Sequence, residues 1–96
     1  MSRVYISGAI TGTSDFMERF GTAEDRLKSV GYDVVNPAKL NGIMPKDATH
    51  EEYMRMSFEL LNICDAIYML EGWEESKGAN REYGYAVAAG IEVLRK

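Results

Sequence analysis

The feature that most constrains the fold is a regular alternation of short apolar runs with segments of helical periodicity. The first run, Val4 to Ser7, is rich in β-branched and aromatic residues and ends at Gly8, which is typical of a strand buried on both faces. Further runs at 32–35, 65–70 and 91–94 predict three more strands, and segments 14–30, 50–63 and 76–89 predict helices between them. Strands that alternate with helices predict an α/β domain with a parallel sheet of about four strands, covered on both faces.

Local signals set the boundaries of these elements. Ser14 is expected to cap the first helix, because Asp15 and Glu18 follow it in the first turn, and Gly31 is expected to end that helix. Segment 38–49 has no clean period and contains Asn41-Gly42 and Pro45, so it is predicted to be a loop over a ligand site or a subunit contact.

Length and charge restrict the class of protein. A chain of 96 residues is expected to form one domain, 1–96, and its limited core favours a homodimer or a larger homo-oligomer. The formal net charge of −4 argues against a nucleic acid polymer as partner. No apolar run approaches the roughly 20 residues of a membrane helix, and a secretory signal is absent, so a cytoplasmic protein without membrane contact is expected. The single cysteine, Cys64, is interpreted as a buried apolar residue.

In a parallel sheet of this kind, ligands bind outside the carboxyl ends of the strands. The first loop there, 8–13, supplies glycines and backbone amides that favour an anion, but the pattern fits a plain strand-to-helix turn equally well. The loop before the third helix places Ser76, Gly78 and Glu82 around a helix start. Glu82 is open to two interpretations, a first-turn residue that interacts with the helix dipole or a functional carboxylate. The small residues of that helix are expected to let it lie close to the sheet: Gly84, Ala86, Ala88, Ala89 and Gly90.

Three segments together resemble the small phage and bacterial branch, of the DUF4406 type, of the nucleoside 2-deoxyribosyltransferase-like superfamily. They are VYISGAITG at 4–12, CDAIYMLEGWE at 64–74, and Ser76-x-Gly78-x-x-x-Glu82. Their order and spacing span nearly the whole chain. The resemblance implies a small flavodoxin-like or Rossmann-like three-layer domain, and attack by a glutamate on the anomeric carbon of a nucleoside.

The resemblance also implies which residues form the site. Glu82 falls on the position of the nucleophile, and Tyr5 is expected to approach the nucleophile or the sugar. The 5′ end of the sugar or its phosphate is expected to contact Ser76 and Gly78. The other side of the site would be closed by residues of the first loop: Gly8, Ile10, Thr11 and Gly12.

Two positions depart from the pattern of the relatives. An aspartate usually precedes the third strand by eight residues, and counting back from Asp65 gives Ser57, whose hydroxyl is a poor general acid near neutral pH. The relatives that hydrolyse nucleotides tend to have a basic residue where Thr11 stands, so weaker affinity for an anion follows.

Other conspicuous residues have simpler interpretations. His50 has no cysteine or histidine partner at the spacing of metal ligands, so a surface or helix-terminal role is favoured and no metal or other cofactor is expected. Trp73 either stacks on a base or packs between subunits.

The sequence therefore predicts cleavage of an N-glycosidic bond, or base exchange, on a deoxynucleoside or its 5′-monophosphate, with Glu82 as the nucleophile. The enzyme would be a deoxyribosyltransferase or a nucleotide N-hydrolase. The alternative is a protein on the same fold that binds or sequesters a nucleotide without catalysis, and the serine at position 57 motivates it.

Overall fold

The computed structural model describes residues 2–10 and 13–95. Two short 3-10 helices cover Pro37–Gly42 and Trp73–Glu75. The strands and α-helices alternate along the chain as β1 (Arg3–Ser7), α1 (Phe16–Ser29), β2 (Asp33–Val35), α2 (His50–Asn62), β3 (Ala66–Met69), α3 (Lys77–Ala89) and β4 (Glu92–Arg95).

The four strands form one parallel sheet in the order β2-β1-β3-β4. The register pairs Tyr5 with Val35 on one side and with Ile67 on the other. The chain adds β2 on one side of β1 and then crosses to add β3 on the other, so the strand order reverses between β1 and β3. This confirms the predicted α/β fold, and the reversal places a ligand crevice at the carboxyl ends of these two central strands.

Alternate residues of the central strands pack against helices on opposite faces of the sheet. Val4 and Ile6 lie in a core cluster with Phe20 and Leu27 of α1. On the other face, Tyr5 and Ile67 pack with residues of α2 and α3. Because both faces of β1 and β3 are covered, all the side chains of β3 and four of the five in β1 are buried, as their continuous apolar sequence indicates.

The start of α1 differs from the sequence-based prediction. Asp15 is the N-cap, it makes no side-chain bond to the helix, and Ser14 lies one residue earlier in a bend. The helix also ends one residue before Val30, which is 69% exposed and does not extend the buried face.

The predicted loop at 38–49 is wrong for its first part, which belongs to the 3-10 helix Pro37–Gly42. Pro37 suits the first turn because its fixed φ is helical and it has no N–H to satisfy. The Asn36 side chain caps this turn by accepting a hydrogen bond of 3.0 Å from the backbone N–H of Ala38. Ala38 and Leu40 are buried as a result.

Helix α3 packs against the sheet through a narrower set of residues than the sequence predicts. Ala79, Glu82 and Ala86 are its buried residues, at a spacing of three and four that defines one face. Gly84, Ala88 and Ala89 are exposed, so the prediction that they bring the helix close to the sheet is wrong, and only Ala86 of that set does so. None of the helices in the described ranges is long and apolar enough to cross a membrane.

Candidate active site

A cavity of about 620 Å³ opens at the carboxyl edge of the sheet, where the strand order reverses. The end of β1, the first turns of α2 and α3 and the 3-10 helix Pro37–Gly42 all contribute to its lining. This is the crevice that the topology predicts for a ligand.

Glu82 faces this cavity from the second turn of α3, and its side chain is almost fully buried, with 7% of the residue exposed. The Tyr5 hydroxyl donates a hydrogen bond of 2.6 Å to Oε2 of Glu82, and the Ser7 hydroxyl donates one of 2.6 Å to Oε1. Tyr5 and Ser7 are two residues apart on β1, so both side chains leave the same face of the sheet. Each oxygen of the carboxylate therefore has its own donor from one strand.

The surroundings of Glu82 act on its charge in opposite directions. Burial raises the pKa of the Glu82 carboxyl, while the hydrogen bonds from Ser7 and Tyr5 and the positive charge of Arg81 oppose that rise. Burial also raises the pKa of the Tyr5 phenol well above its ordinary value, and the neighbouring charge of Glu82 adds to the effect. Tyr5 consequently keeps its proton and acts as a hydrogen-bond donor to the carboxylate.

Helix α2 presents four residues to the cavity, His50, Tyr53, Met54 and Ser57, at the spacing of one helical face. Ser57 is buried and close enough to Tyr5 for its hydroxyl to favour the ionised phenol, an effect smaller than that of burial. His50 begins the helix, as expected for a helix-terminal residue, and its ring also approaches α3. The ring atom Cε1 lies 3.7 Å from the place that a Cβ on Gly78 would occupy.

The start of α3 forms another part of the wall. Ser76 is the N-cap, and its Oγ accepts a hydrogen bond of 3.1 Å from the N–H of Ala79. Its hydroxyl hydrogen can still be donated to a ligand, since the bond to Ala79 uses only an oxygen lone pair. Gly78 and Lys77 line the cavity beside it.

The first loop contributes Gly8 and Ile10 to the lining. A Cβ on Gly8 would lie 2.9 Å from both Cβ and Cδ1 of Leu70, so the backbone passes too close to that side chain for any residue but glycine. Thr11 and Gly12, which the sequence also assigns to the site, lie outside the described residues.

Two residues singled out in the sequence lie away from this cavity. Trp73 packs on Tyr83 with ring centroids 4.8 Å apart, and the Arg95 guanidinium lies over both rings, so Trp73 has a packing role within the chain, which is neither of the two predicted roles. The Cys64 thiol is buried, burial raises its pKa to about 11, and it donates to the carbonyl of Leu60. Among the described residues, no group of three or more His, Cys, Asp or Glu side chains is placed to hold a metal ion.

Sequence reasoning missed Ser7 and the position of His50 in the cavity wall. Ser7 follows Tyr5 at the strand period of two, so the two side chains lie on the same face of the sheet and can contact the same functional group. His50 precedes Ser57 by seven residues, two helical turns, which places both on one face of α2. The strand period and the helical spacing identify Ser7 and His50 as site residues only when the elements that pack against β1 and α2 are known.

Comparison with known proteins gives a family and a fold. Residues 2–95 match the family described as "Domain of unknown function (DUF4406)". No curated protein matches the chain. The structure is similar to that of a 2-deoxyribosyltransferase from the psychrotolerant bacterium Bacillus psychrosaccharolyticus, an enzyme described as a biocatalyst for the synthesis of nucleosides. The TM-score is 0.79 at 15% sequence identity, over 98% of this chain and 71% of that one, and at this identity the similarity establishes the fold alone.

Proposed function

The chain belongs to the DUF4406 family and has the fold of a 2-deoxyribosyltransferase, and on this basis we propose that it breaks the N-glycosidic bond of a deoxynucleoside or its 5′-monophosphate. The deoxyribosyl group passes to Glu82 and then to water or to a second base. Water makes the protein a hydrolase, and a base makes it a transferase.

The observation that carries this proposal is the environment of Glu82. A carboxylate is rarely buried without partners, since removal from water disfavours its charge. Here the carboxylate is 7% exposed, faces a cavity large enough for a nucleoside, and is held by two hydroxyl donors. A residue that only interacts with the helix dipole would need neither the burial nor the two donors.

The reaction divides into two balanced steps. In the first, an oxygen of Glu82 forms a bond to C1′ as the bond from C1′ to the base nitrogen breaks, and the departing base keeps that electron pair and takes a proton from solvent water. In the second, water or a base nitrogen bonds to C1′ and gives up a proton to solvent, the bond from C1′ to the glutamate oxygen breaks, and the carboxylate recovers its electron pair. Both steps pass through an oxocarbenium-like transition state, which the adjacent negative charge stabilises.

The walls of the cavity suggest how the sugar is oriented. Ser76 and Gly78 at the start of α3 are proposed to bind the 5′ hydroxyl or phosphate, with Lys77 beside them. Gly8 and Ile10, together with Thr11 and Gly12, are proposed to close the opposite side.

A second candidate function is binding of a nucleotide without turnover. Ser57 supports it, because this serine lines the cavity at the position where the resemblance implies an aspartate that would help the base depart. Glu75 and His50 also line the cavity, but both are exposed and neither is hydrogen-bonded to the Glu82 network among the described residues. Without general acid catalysis the rate would fall by about 10² to 10⁴.

One experiment separates the two functions. The purified protein is incubated with the common 2′-deoxynucleosides and their 5′-monophosphates, with and without adenine as acceptor, and the products are separated by chromatography. Base release that disappears in Glu82→Ala and persists in Glu59→Ala supports the enzyme, because Glu59 is an exposed glutamate on α2. Absence of turnover, together with ligand binding that survives Glu82→Gln, would instead establish a binder.

Self-association is proposed as well. Several apolar side chains are exposed on α2, at its end and on α3, and burial against a second copy would remove them from water. They are Met56, Ile63, Tyr85 and Val87, between 36% and 55% exposed.

A further inference from the structure

The two donors to Glu82 differ in their position relative to the cavity. Tyr5 is part of the cavity wall, as is Glu82 itself. Ser7 is fully buried, but it does not belong to the cavity lining among the described residues. Oε2 is therefore the oxygen whose donor lines the cavity, and Oε1 is the oxygen whose donor does not.

We propose that Ser7 is a positioning residue that keeps its hydrogen bond to Oε1 throughout the reaction, while Oε2 forms and breaks the bond to C1′. The proposal rests on the proposed function, since it assigns separate roles to the two oxygens of the same nucleophile. It makes Oε1 the carbonyl oxygen of the glycosyl ester.

Once the ester forms, only one of the two donors still has a good acceptor. When Oε2 bonds to C1′, it loses its negative charge and becomes a poor acceptor, so Tyr5 loses its partner. Oε1 becomes a carbonyl oxygen, which still accepts a hydrogen bond from Ser7. When the ester breaks, charge returns to both oxygens, and the Ser7 hydroxyl is already in place to stabilise it.

The Ser7 hydrogen bond changes the rate of ester release relative to the rate of ester formation. A hydrogen bond to a charged carboxylate is about twice as strong as one to a neutral carbonyl. Ser7 therefore stabilises the free carboxylate more than the ester, and it favours departure of the sugar from Glu82. Without Ser7, the ester is formed relatively more readily and is released more slowly.

The test compares Ser7→Ala with the unchanged protein by rapid quenching and intact-protein mass measurement, with the 2′-deoxynucleoside or 5′-monophosphate that the unchanged protein turns over. The fraction of enzyme that carries a covalent deoxyribosyl group in steady state is expected to increase, with the ratio of release to formation lowered about 5-fold to 10-fold. Ser7→Thr keeps the hydroxyl and should restore the ratio. Ser29→Ala is the matched control, since this exposed serine only bonds the carbonyl of Arg26.

Rates are compared where they no longer depend on pH, because Ser7→Ala also changes the ionisation of Glu82. The charged or titratable groups that act on this carboxyl are Tyr5 from β1 and Arg81 from its own helix. The other such groups that line the same cavity are His50, Tyr53, Glu75 and Lys77. If the added methyl group of Ser7→Thr prevents folding, Ser7→Cys replaces it as a weaker donor of similar size, with an intermediate ratio expected.

Failure of this inference differs from failure of the proposed function. If the unchanged protein releases base and Ser7→Ala slows both steps equally, or accumulates no ester, the division of roles between the oxygens is wrong while Glu82 remains the nucleophile. If the unchanged protein neither releases base nor forms an ester with any compound of the panel, the proposed function itself is wrong.

Discussion

Glu82 and Tyr5 lie 77 positions apart in the chain, and the phenol hydroxyl of Tyr5 is 2.6 Å from Oε2 of Glu82. The bond joins the central strand to α3 inside the domain, at the edge of the cavity. A charged group in this position costs stability unless its partners compensate fully, and the raised pKa of Glu82 indicates that they do not.

Replacement of Glu82 by glutamine is therefore expected to stabilise the protein at neutral pH. Because the pKa of Glu82 is higher in the folded than in the unfolded chain, its stabilising contribution is complete at acidic pH and is lost as the pH rises through the folded-state value. Glutamine resembles the protonated form at every pH, since one hydroxyl can rotate to accept from its amide N–H while the other donates to its amide oxygen. Urea unfolding should show a gain of about 0.5–2 kcal/mol at pH 7.5 and a much smaller one at pH 4. Glu59→Gln, which changes an exposed glutamate, should show neither, and a loss of stability in Glu82→Gln at pH 7.5 would contradict the expectation.

Introduction of an acid at position 57 is expected to accelerate base release. Ser57 is buried beside the Tyr5 hydroxyl, so an aspartate there would be kept protonated by burial and could give its proton to the departing base. The rate of Ser57→Asp should exceed that of the unchanged protein by up to about 10²-fold at pH 6. Ser57→Asn introduces a side chain of the same shape without an acidic proton, and it serves as the control. Equal rates for the two variants would show that position 57 does not limit the reaction.

Glu24 is expected to make stability depend on pH in the acidic range. The hydrogen bond from Lys28 is the largest of the influences that lower its pKa to about 2, with further bonds from Asn36 and Lys39. Since the folded-state pKa lies below the unfolded one, the contribution is present above about pH 4.5 and is lost as the pH falls towards 2. Both lysines are exposed, so solvent screening limits the contribution to about 1–2 kcal/mol.

The measurement is the difference in unfolding free energy between the unchanged protein and Glu24→Gln, which should be clear at pH 7 and absent at pH 2.5. Glu59→Gln is the control, because Glu59 is an exposed glutamate on α2 with no ion pair among the described residues. If the difference in unfolding free energy for Glu24→Gln were the same at both pH values, Glu24 would not be the source of the pH dependence.

A charge on the exposed face of α3 is expected to disrupt self-association. Val87 is 55% exposed, and glutamate at this position would place an unpaired charge in an interface formed by α2 and α3. Val87→Glu should elute as a monomer in gel filtration at a concentration where the unchanged protein elutes as a dimer or larger species. Val30→Glu is the matched control and should not change the elution volume. Val30 is 69% exposed at the end of α1, which packs on the opposite face of the sheet. A monomeric unchanged protein would contradict the proposal.

The central elements could be predicted from the sequence because their patterns do not depend on partners. The strands around Tyr5 and Ile67 are continuous apolar runs, and continuous runs of this length predict strands covered on both faces. The first turn of α1 was mispredicted because Ser14 and Asp15 are both good capping residues, and their order in the sequence does not decide between them.

The candidate site was predictable where a resemblance supplied the positions, as at Glu82 and Tyr5. The donor role of Ser7 depends on the pairing of β1 with α3 across 75 positions, and local periodicity carries no information about that pairing. The small residues of α3 illustrate the same point, since Ala88 was expected against the sheet and lies in solvent.

The close approach of Gly8 to Leu70 couples two positions that are 62 residues apart. Any side chain at position 8 would push against the leucine at the junction where the two central strands end. Because the Cβ of Leu70 makes one of the two close contacts, a shorter side chain at position 70 would leave that contact in place, so homologues with any side chain at position 70 should keep glycine at position 8.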